Sequence, residues 1–158
     1  MESRARLFGH PVHQMLIVFP LGLLGASLVF DLLAHAIDLP LMAVVAYYLI
    51  LGGLVGGLLA APFGLIDWLA IPGGTRAKSV GGLHGLGNVL VLLLFAASAW
   101  LRHGDPSLPG GPAQSLSFVA VALSLVTAWL GGELVDRLGV GVSDGAHLDA
   151  PSSLHKPH

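Results

Sequence analysis

Four long apolar runs, separated by short clusters rich in proline, glycine and charge, organise this chain. They cover about residues 12–36, 41–69, 82–101 and 116–134. A hydrocarbon core of about 30 Å takes roughly 20 apolar residues as helix, so each run is long enough, or nearly so, to cross it. The second is long enough to tilt. No run alternates polar and apolar positions, which argues against the strands of a transmembrane barrel. Helices then remain as the way to satisfy the backbone in lipid. The connections are Asp38-Leu39-Pro40, then Ile71-Pro72-Gly73-Gly74-Thr75, then Gly104-Asp105-Pro106 with Pro109-Gly110-Gly111-Pro112. Connections this short predict antiparallel neighbours. The expected fold class is all-α: an integral membrane four-helix bundle, up-down-up-down, over residues 8–142. A polar tail at 143–158, with Pro151, Ser152, Ser153 and Pro157, is expected to be disordered.

Composition agrees. Of the 158 residues, 54% are hydrophobic and 10% charged, and the mean hydropathy is +0.82. A water-soluble domain carries about 25% charged residues. A net charge of −2 supplies no basic face for nucleic acid. With no cysteine, disulfides, thiolate metal sites and cysteine-held iron–sulfur clusters are excluded. A cleaved signal peptide is the rival account of the first run, since Arg4 and Arg6 precede it and Ala34-His35-Ala36 resembles a cleavage site. The run is longer than the roughly 7–15 apolar residues of such peptides. Arg4, Arg6, Arg76, Lys78, Arg137 and Lys156 fall on the side holding both termini and the middle connection, and only Arg102 falls opposite. That asymmetry predicts cytoplasmic termini.

The 22 glycines let helices approach closely in lipid. Gly53, Gly56 or Gly57, Ala60 and Gly64 make a stripe on the second span, and one further turn reaches Asp67, which the stripe aims into the bundle. Pro20 is expected to kink the first span.

Depth sorts the polar residues. His10 and His13 open the first span, Asp67 closes the second, His84 and Asn88 open the third, and Glu133 closes the fourth. All four helices thus bring a polar group to one end. His10 and His13 are three apart, and His84 and Asn88 four apart, so each pair can share a helix face. Pro11 suits a first helical turn, which places His10 near the N-cap. Trp68 and Trp129 suit the membrane interface. Asp31 and His35 lie at the opposite membrane face. Ionisable groups in spans point to function. Three accounts fit: a structural hydrogen-bond network, a haem site on His10 or His13 with His84 and Asn88, or a non-haem metal site on His10, His13, Asp67, His84 and Glu133. Haem b is favoured slightly over a non-haem transition metal. Gly81, Gly82, Gly85 and Gly87 give room near His84, and Arg4, Arg6, Arg76 and Lys78 could pair with propionates, although Asp67 and Glu133 would lie beside an anionic cofactor. A ferritin-like di-iron centre lacks its Glu-x-x-His pairs. No H-E-x-x-H zinc motif and no phosphate-binding loop is present. The serines within spans, Ser27, Ser98, Ser117 and Ser124, have no histidine neighbour in sequence, so no catalytic residue is assigned. His147, His155 and His158 of the tail are read as solvated.

Gly9-His10-Pro11-Val12-His13 followed by Phe19-Pro20-Leu21-Gly22, then Phe63-Gly64-Leu65-Ile66-Asp67-Trp68, His84 with Asn88, and Trp129-Leu130-Gly131-Gly132-Glu133-Leu134-Val135 form four ordered signatures. Over about residues 8–142 the chain resembles the bacterial predicted membrane proteins catalogued as domain of unknown function 2231. The resemblance implies a bacterial inner-membrane protein. Some relatives are joined to Rieske-type iron–sulfur domains, which implies respiratory redox chemistry nearby. The expected function is a redox-linked haem- or metal-binding subunit, in contact with the lipid bilayer, with a membrane redox partner and a homo-oligomer as candidate associations. The alternative is a non-catalytic assembly or interaction protein whose polar cluster is structural.

Overall fold

The computed structural model describes residues 1–154. Lys156 of the charge count, and His155 and His158 of the tail, lie outside the described residues. A two-residue hairpin comes first: β1 (Arg6–Leu7) pairs antiparallel with β2 (His10–Pro11). Its turn places Phe8 and Gly9 at φ 51° and 85°. Two residues at positive φ are what a tight hairpin of this twist needs. Five α-helices follow: α1 (Val12–Leu16), α2 (Val18–Ala36), α3 (Pro40–Ala70), α4 (Arg76–Arg102) and α5 (Gly111–Gly132). A π-helical turn, Glu133–Arg137, ends the last one.

Among the described residues, four helical segments are long and apolar enough to cross a membrane, with α1 and α2 together forming the first. The break between those two is at Ile17, three residues before Pro20. Pro20 has no N–H to give the carbonyl of Leu16, so the ladder is interrupted there. Gly56 of α3 packs against the break, where an added Cβ would lie 3.1 Å from Pro20 Cδ. Pro11 is the N-cap rather than a residue of the first turn, which moves His10 out of the helix and into β2. The last two spans start earlier than their apolar runs. Thr75 caps α4 by accepting the Lys78 amide at 3.1 Å. Pro112 lies in the first turn of α5, where its missing N–H costs nothing.

Contacts fix the neighbours. Leu23 meets Gly52 and Pro20 meets Gly56, so α2 and α3 run antiparallel. Trp68 meets Gly81 and Leu92 meets Gly57, so α3 and α4 do too. Thr127 meets Gly87, and Ser98 bonds Ala113, which gives the same sense for α4 and α5. This course is consistent with an up-down-up-down bundle.

The distribution of size is inverted relative to a soluble protein. The buried helix positions are mostly small: Ala43, Ala46, Gly53, Ala60, Ala113 and Ala120. Large apolar side chains point outward, among them Leu58, Leu86, Trp100 and Leu125. So large an apolar exterior suits lipid. Close backbone approach, rather than water exclusion, then holds the helices together.

Toward the end opposite the termini the interior is ionic. Arg102 of α4 donates from Nη1 and Nη2 to both carboxylate oxygens of Asp31 on α2, each at 2.7 Å. Its Nε donates to Ser98 Oγ at 3.1 Å and Nη2 also to Ser117 Oγ at 3.1 Å. Both charged side chains are almost completely buried, at 2% and 0% exposure. Arg102 is therefore enclosed with a partner and does not offer its charge to the far membrane surface.

Gly53 tests the packing argument. A Cβ there would fall 2.5 Å from Leu24 Cγ and 3.3 Å from the Leu24 backbone nitrogen. Gly53→Val is expected to cost about 1–3 kcal/mol and to lower the thermal unfolding midpoint in detergent. Gly25→Ala, with nothing within 4 Å of its Cβ position, is expected to leave that midpoint unchanged or raise it.

Candidate functional site

Two histidines from different helices meet between the spans. His13 of α1 and His84 of α4 have ring centroids 6.5 Å apart and ring planes at 86°. Each is fixed in the same manner. His13 Nδ1 bonds the carbonyl of Ala60 on α3 at 3.0 Å, and His84 Nδ1 bonds the carbonyl of Thr127 on α5 at 2.8 Å. A carbonyl only accepts, so both Nδ1 atoms carry hydrogen, and in the neutral ring both Nε2 atoms keep their lone pairs. Glycine makes room for each ring. A Cβ on Gly64 would come within 2.8 Å of the His13 ring, and one on Gly131 within 3.2 Å of the His84 ring.

Asn88, one turn beyond His84, closes a chain of hydrogen bonds. Its Nδ2 donates to the His84 carbonyl at 2.9 Å and reaches His84 Nε2 at 3.1 Å. Its Oδ1 accepts from Thr127 Oγ1 at 3.0 Å. The pairing expected from spacing between His84 and Asn88 is thus a direct contact.

The remaining expected residues take other partners. Asp67 accepts from Ser3 Oγ at 2.8 and 2.7 Å, from the Arg4 amide at 2.8 Å and from the Ala5 amide at 3.3 Å. It anchors the N-terminal segment over the end of α3. Glu133, at the start of the π turn, accepts from Arg76 Nη2 at 2.6 Å. His10 lies in the hairpin, exposed, with Nε2 3.3 Å from Ser153 Oγ. The structure therefore brings His13, His84 and Asn88 together and gives Asp67, Glu133 and His10 partners of their own. Among the described residues, no group of three or more His, Asp or Glu side chains is placed to hold a metal ion. Both carboxylates of the five-residue metal reading have other partners.

Neighbouring groups seal this end. Lys78 Nζ donates to the Trp68 carbonyl at 2.8 Å and lies 4.1 Å from the centre of the Trp68 ring. Trp68 Nε1 donates back to the Lys78 carbonyl at 3.0 Å. The N-terminal ammonium donates to the Gly139 carbonyl at 2.8 Å. Glu2 accepts from Ser143 Oγ at 2.6 Å and also pairs with Arg6. The Ser143 hydroxyl, and then the Arg6 charge, hold the Glu2 carboxyl below its ordinary value. Depth had marked the histidine cluster. It gave no sign of the Ser3–Asp67 anchor, because residues 1–11 have no periodic pattern. Depth places Asp31 and Arg102 at the far face without pairing them.

A family described as predicted membrane protein (DUF2231) matches residues 9–144. No curated protein and no solved structure matches the chain.

The anchor makes a direct forecast. Asp67→Ala removes every acceptor that holds Ser3, Arg4 and Ala5 to α3. In detergent, limited trypsin digestion after Arg4 and Arg6 is expected to run at least about tenfold faster, the effect of losing about 1.4 kcal/mol against local opening. An unchanged digestion rate would show that the strap is held elsewhere.

Proposed function

The chain belongs to the DUF2231 family of predicted membrane proteins, and from that premise we propose that it is a redox-linked subunit of a bacterial inner membrane whose His13–His84 pair binds haem b or a single transition-metal ion. The observation that carries this reading is the shared anchoring of the two imidazoles. With Nδ1–H bound to a backbone carbonyl, a histidine is held in the tautomer and orientation that metal ligation uses. Two such rings from separate helices, 6.5 Å between centroids, would supply two nitrogen donors to one centre if Asn88 released His84 Nε2. Axial histidine ligation of iron is a means of electron transfer.

Charge supports the reading. Asp67 and Glu133 would oppose an anionic cofactor if bare, but Asp67 is surrounded by donors and Glu133 is paired with Arg76. Arg4 and Lys78 add positive charge at the same end. The enclosure of Arg102 within an ion pair also sharpens the lysine and arginine asymmetry, which favours cytoplasmic termini.

One observation favours the structural alternative. Asn88 already occupies His84 Nε2 at 3.1 Å, as it would in a network whose task is to clamp α4 to α5. The two accounts separate in one experiment. Protein purified in detergent is scanned with and without dithionite, and its metals are measured. The proposal expects a Soret band or a near-stoichiometric transition metal, lost in both His13→Ala and His84→Ala. Thr127→Val keeps the carbonyl that orients His84 and removes only the hydroxyl given to Asn88 Oδ1, so it is expected to leave binding largely intact. Metal-free protein without a Soret band, also after growth with added iron and haem precursor, leaves the clamp as the account.

A further inference from the structure

The two histidines and the two members of the ion pair have the same separation in sequence. His84 follows His13 by 71 residues, Arg102 follows Asp31 by 71, and Ser98 follows Ser27 by 71. The buried positions obey the same shift. Leu24, Ser27 and Asp31 are the buried residues of α2. Each lands on a buried residue of α4: Phe95, Ser98 and Arg102.

The following helices repeat with a shift of 67. The buried residues of α5 are Ala113, Ser117, Ala120 and Thr127. Their counterparts Ala46, Ile50, Gly53 and Ala60 are all buried in α3. The loss of four residues, about one helical turn, falls between the ion-pair position and the second helix. The contacts repeat as well. His13 bonds the Ala60 carbonyl and rests on Gly64, whereas His84 bonds the Thr127 carbonyl and rests on Gly131. Both glycines lie four residues beyond the carbonyl, and both sets follow the 67-residue shift.

We infer that α1–α3 and α4–α5 are two copies of one helical hairpin, and that the Asp31–Arg102 pair is the lock that makes each copy fit the other. The copies run in the same sense, so their pseudo-two-fold axis lies along the membrane normal, as for other parallel repeats. Equivalent residues face each other across such an axis. Two copies of the first hairpin would set Asp against Asp, and two of the second would set Arg against Arg. Opposite charges at one equivalent position favour the pairing of unlike halves and disfavour the pairing of like ones. This inference does not depend on any ligand at the histidines.

Equivalence makes a prediction that complementarity alone does not. Arg102 leans on Ser98, four residues before it, and on Ser117 of the next helix. An arginine at position 31 would find Ser27 in the place of Ser98, but Ile50 in the place of Ser117. The test uses the full chain in detergent, with thermal unfolding followed by circular dichroism and size exclusion. Asp31→Arg and Arg102→Asp alone are expected to shift the folding equilibrium by more than about a hundredfold toward unfolded, since each sets like charges together in the interior. Asp31→Arg with Arg102→Asp is expected to recover most of the loss. Ile50→Ser is then expected to change sign: it lowers the midpoint in the native background, where it places a hydroxyl in the apolar core, and raises it in the swapped background, where that hydroxyl receives the guanidinium. A swap as unstable as the single variants, or an Ile50→Ser effect that lowers the midpoint in both backgrounds, would overturn the inference.

Discussion

A membrane interior supplies no water, so every polar group inside this bundle must find its partner within the protein. Among the described residues, no buried side-chain nitrogen or oxygen lacks one. That constraint explains details that otherwise look unrelated. Ser27 turns back to the carbonyl of Leu24 at 2.7 Å, Ser124 to that of Val121 at 2.7 Å, and Ser98 crosses to Ala113 at 2.7 Å. Arg102 is surrounded by Asp31, Ser98 and Ser117 for the same reason. Removing either charged member of that group leaves an uncompensated charge, which costs far more than the intact pair contributes.

The same demand shapes the histidine pair. Each ring must place its Nδ1 proton on an oxygen, and in both cases the acceptor is a backbone carbonyl of the adjoining helix. Those carbonyls become reachable because Gly64 and Gly131 leave no side chain in the way. Packing by small residues and polar satisfaction are therefore one arrangement. The glycines that draw the helices together also admit the imidazoles to the carbonyls that set their tautomer.

Much of the fold was legible because run length and breaker residues are strong signals in lipid-facing sequence. The four spans, the antiparallel neighbours and the convergence of His13 with His84 and Asn88 all followed from apolar length and depth. The ends were less legible. Gly111-Pro112 reads as loop by composition, yet proline is at ease in a first helical turn, so α5 begins there. The stripe ending at Asp67 aimed that carboxylate toward the bundle. It could not reveal that Ser3, Arg4 and Ala5 would fold back to meet it, because tertiary contact with an irregular segment leaves no periodicity. Asp31 and Arg102 stood in the sequence as a far-face acid and a lone far-face base. Counting Arg102 for topology treated it as solvent-facing, and the 71-residue spacing it shares with His84 is a signal that residue-by-residue placement does not use.

Divergence between the halves is as informative as their likeness. Shifted by 71 residues, Asn88 falls on Ile17, the residue at the break between α1 and α2. The two imidazoles therefore share one anchor at Nδ1 and differ at Nε2, where only His84 has an amide one turn away on its own helix. The halves also differ at the residue whose carbonyl is bonded, Ala60 against Thr127, while keeping the histidines, the carbonyl bonds and the glycines beneath them. The anchoring is kept through a glycine and through a backbone carbonyl, which Ala60 and Thr127 supply alike, while the Nε2 side differs between the halves by a separate adjustment. The break at Ile17 belongs to that adjustment: Pro20 frees the first turn from the rest of its helix, so His13 is carried on a short segment held by Ala60 and Gly64, while His84 is carried on an unbroken helix.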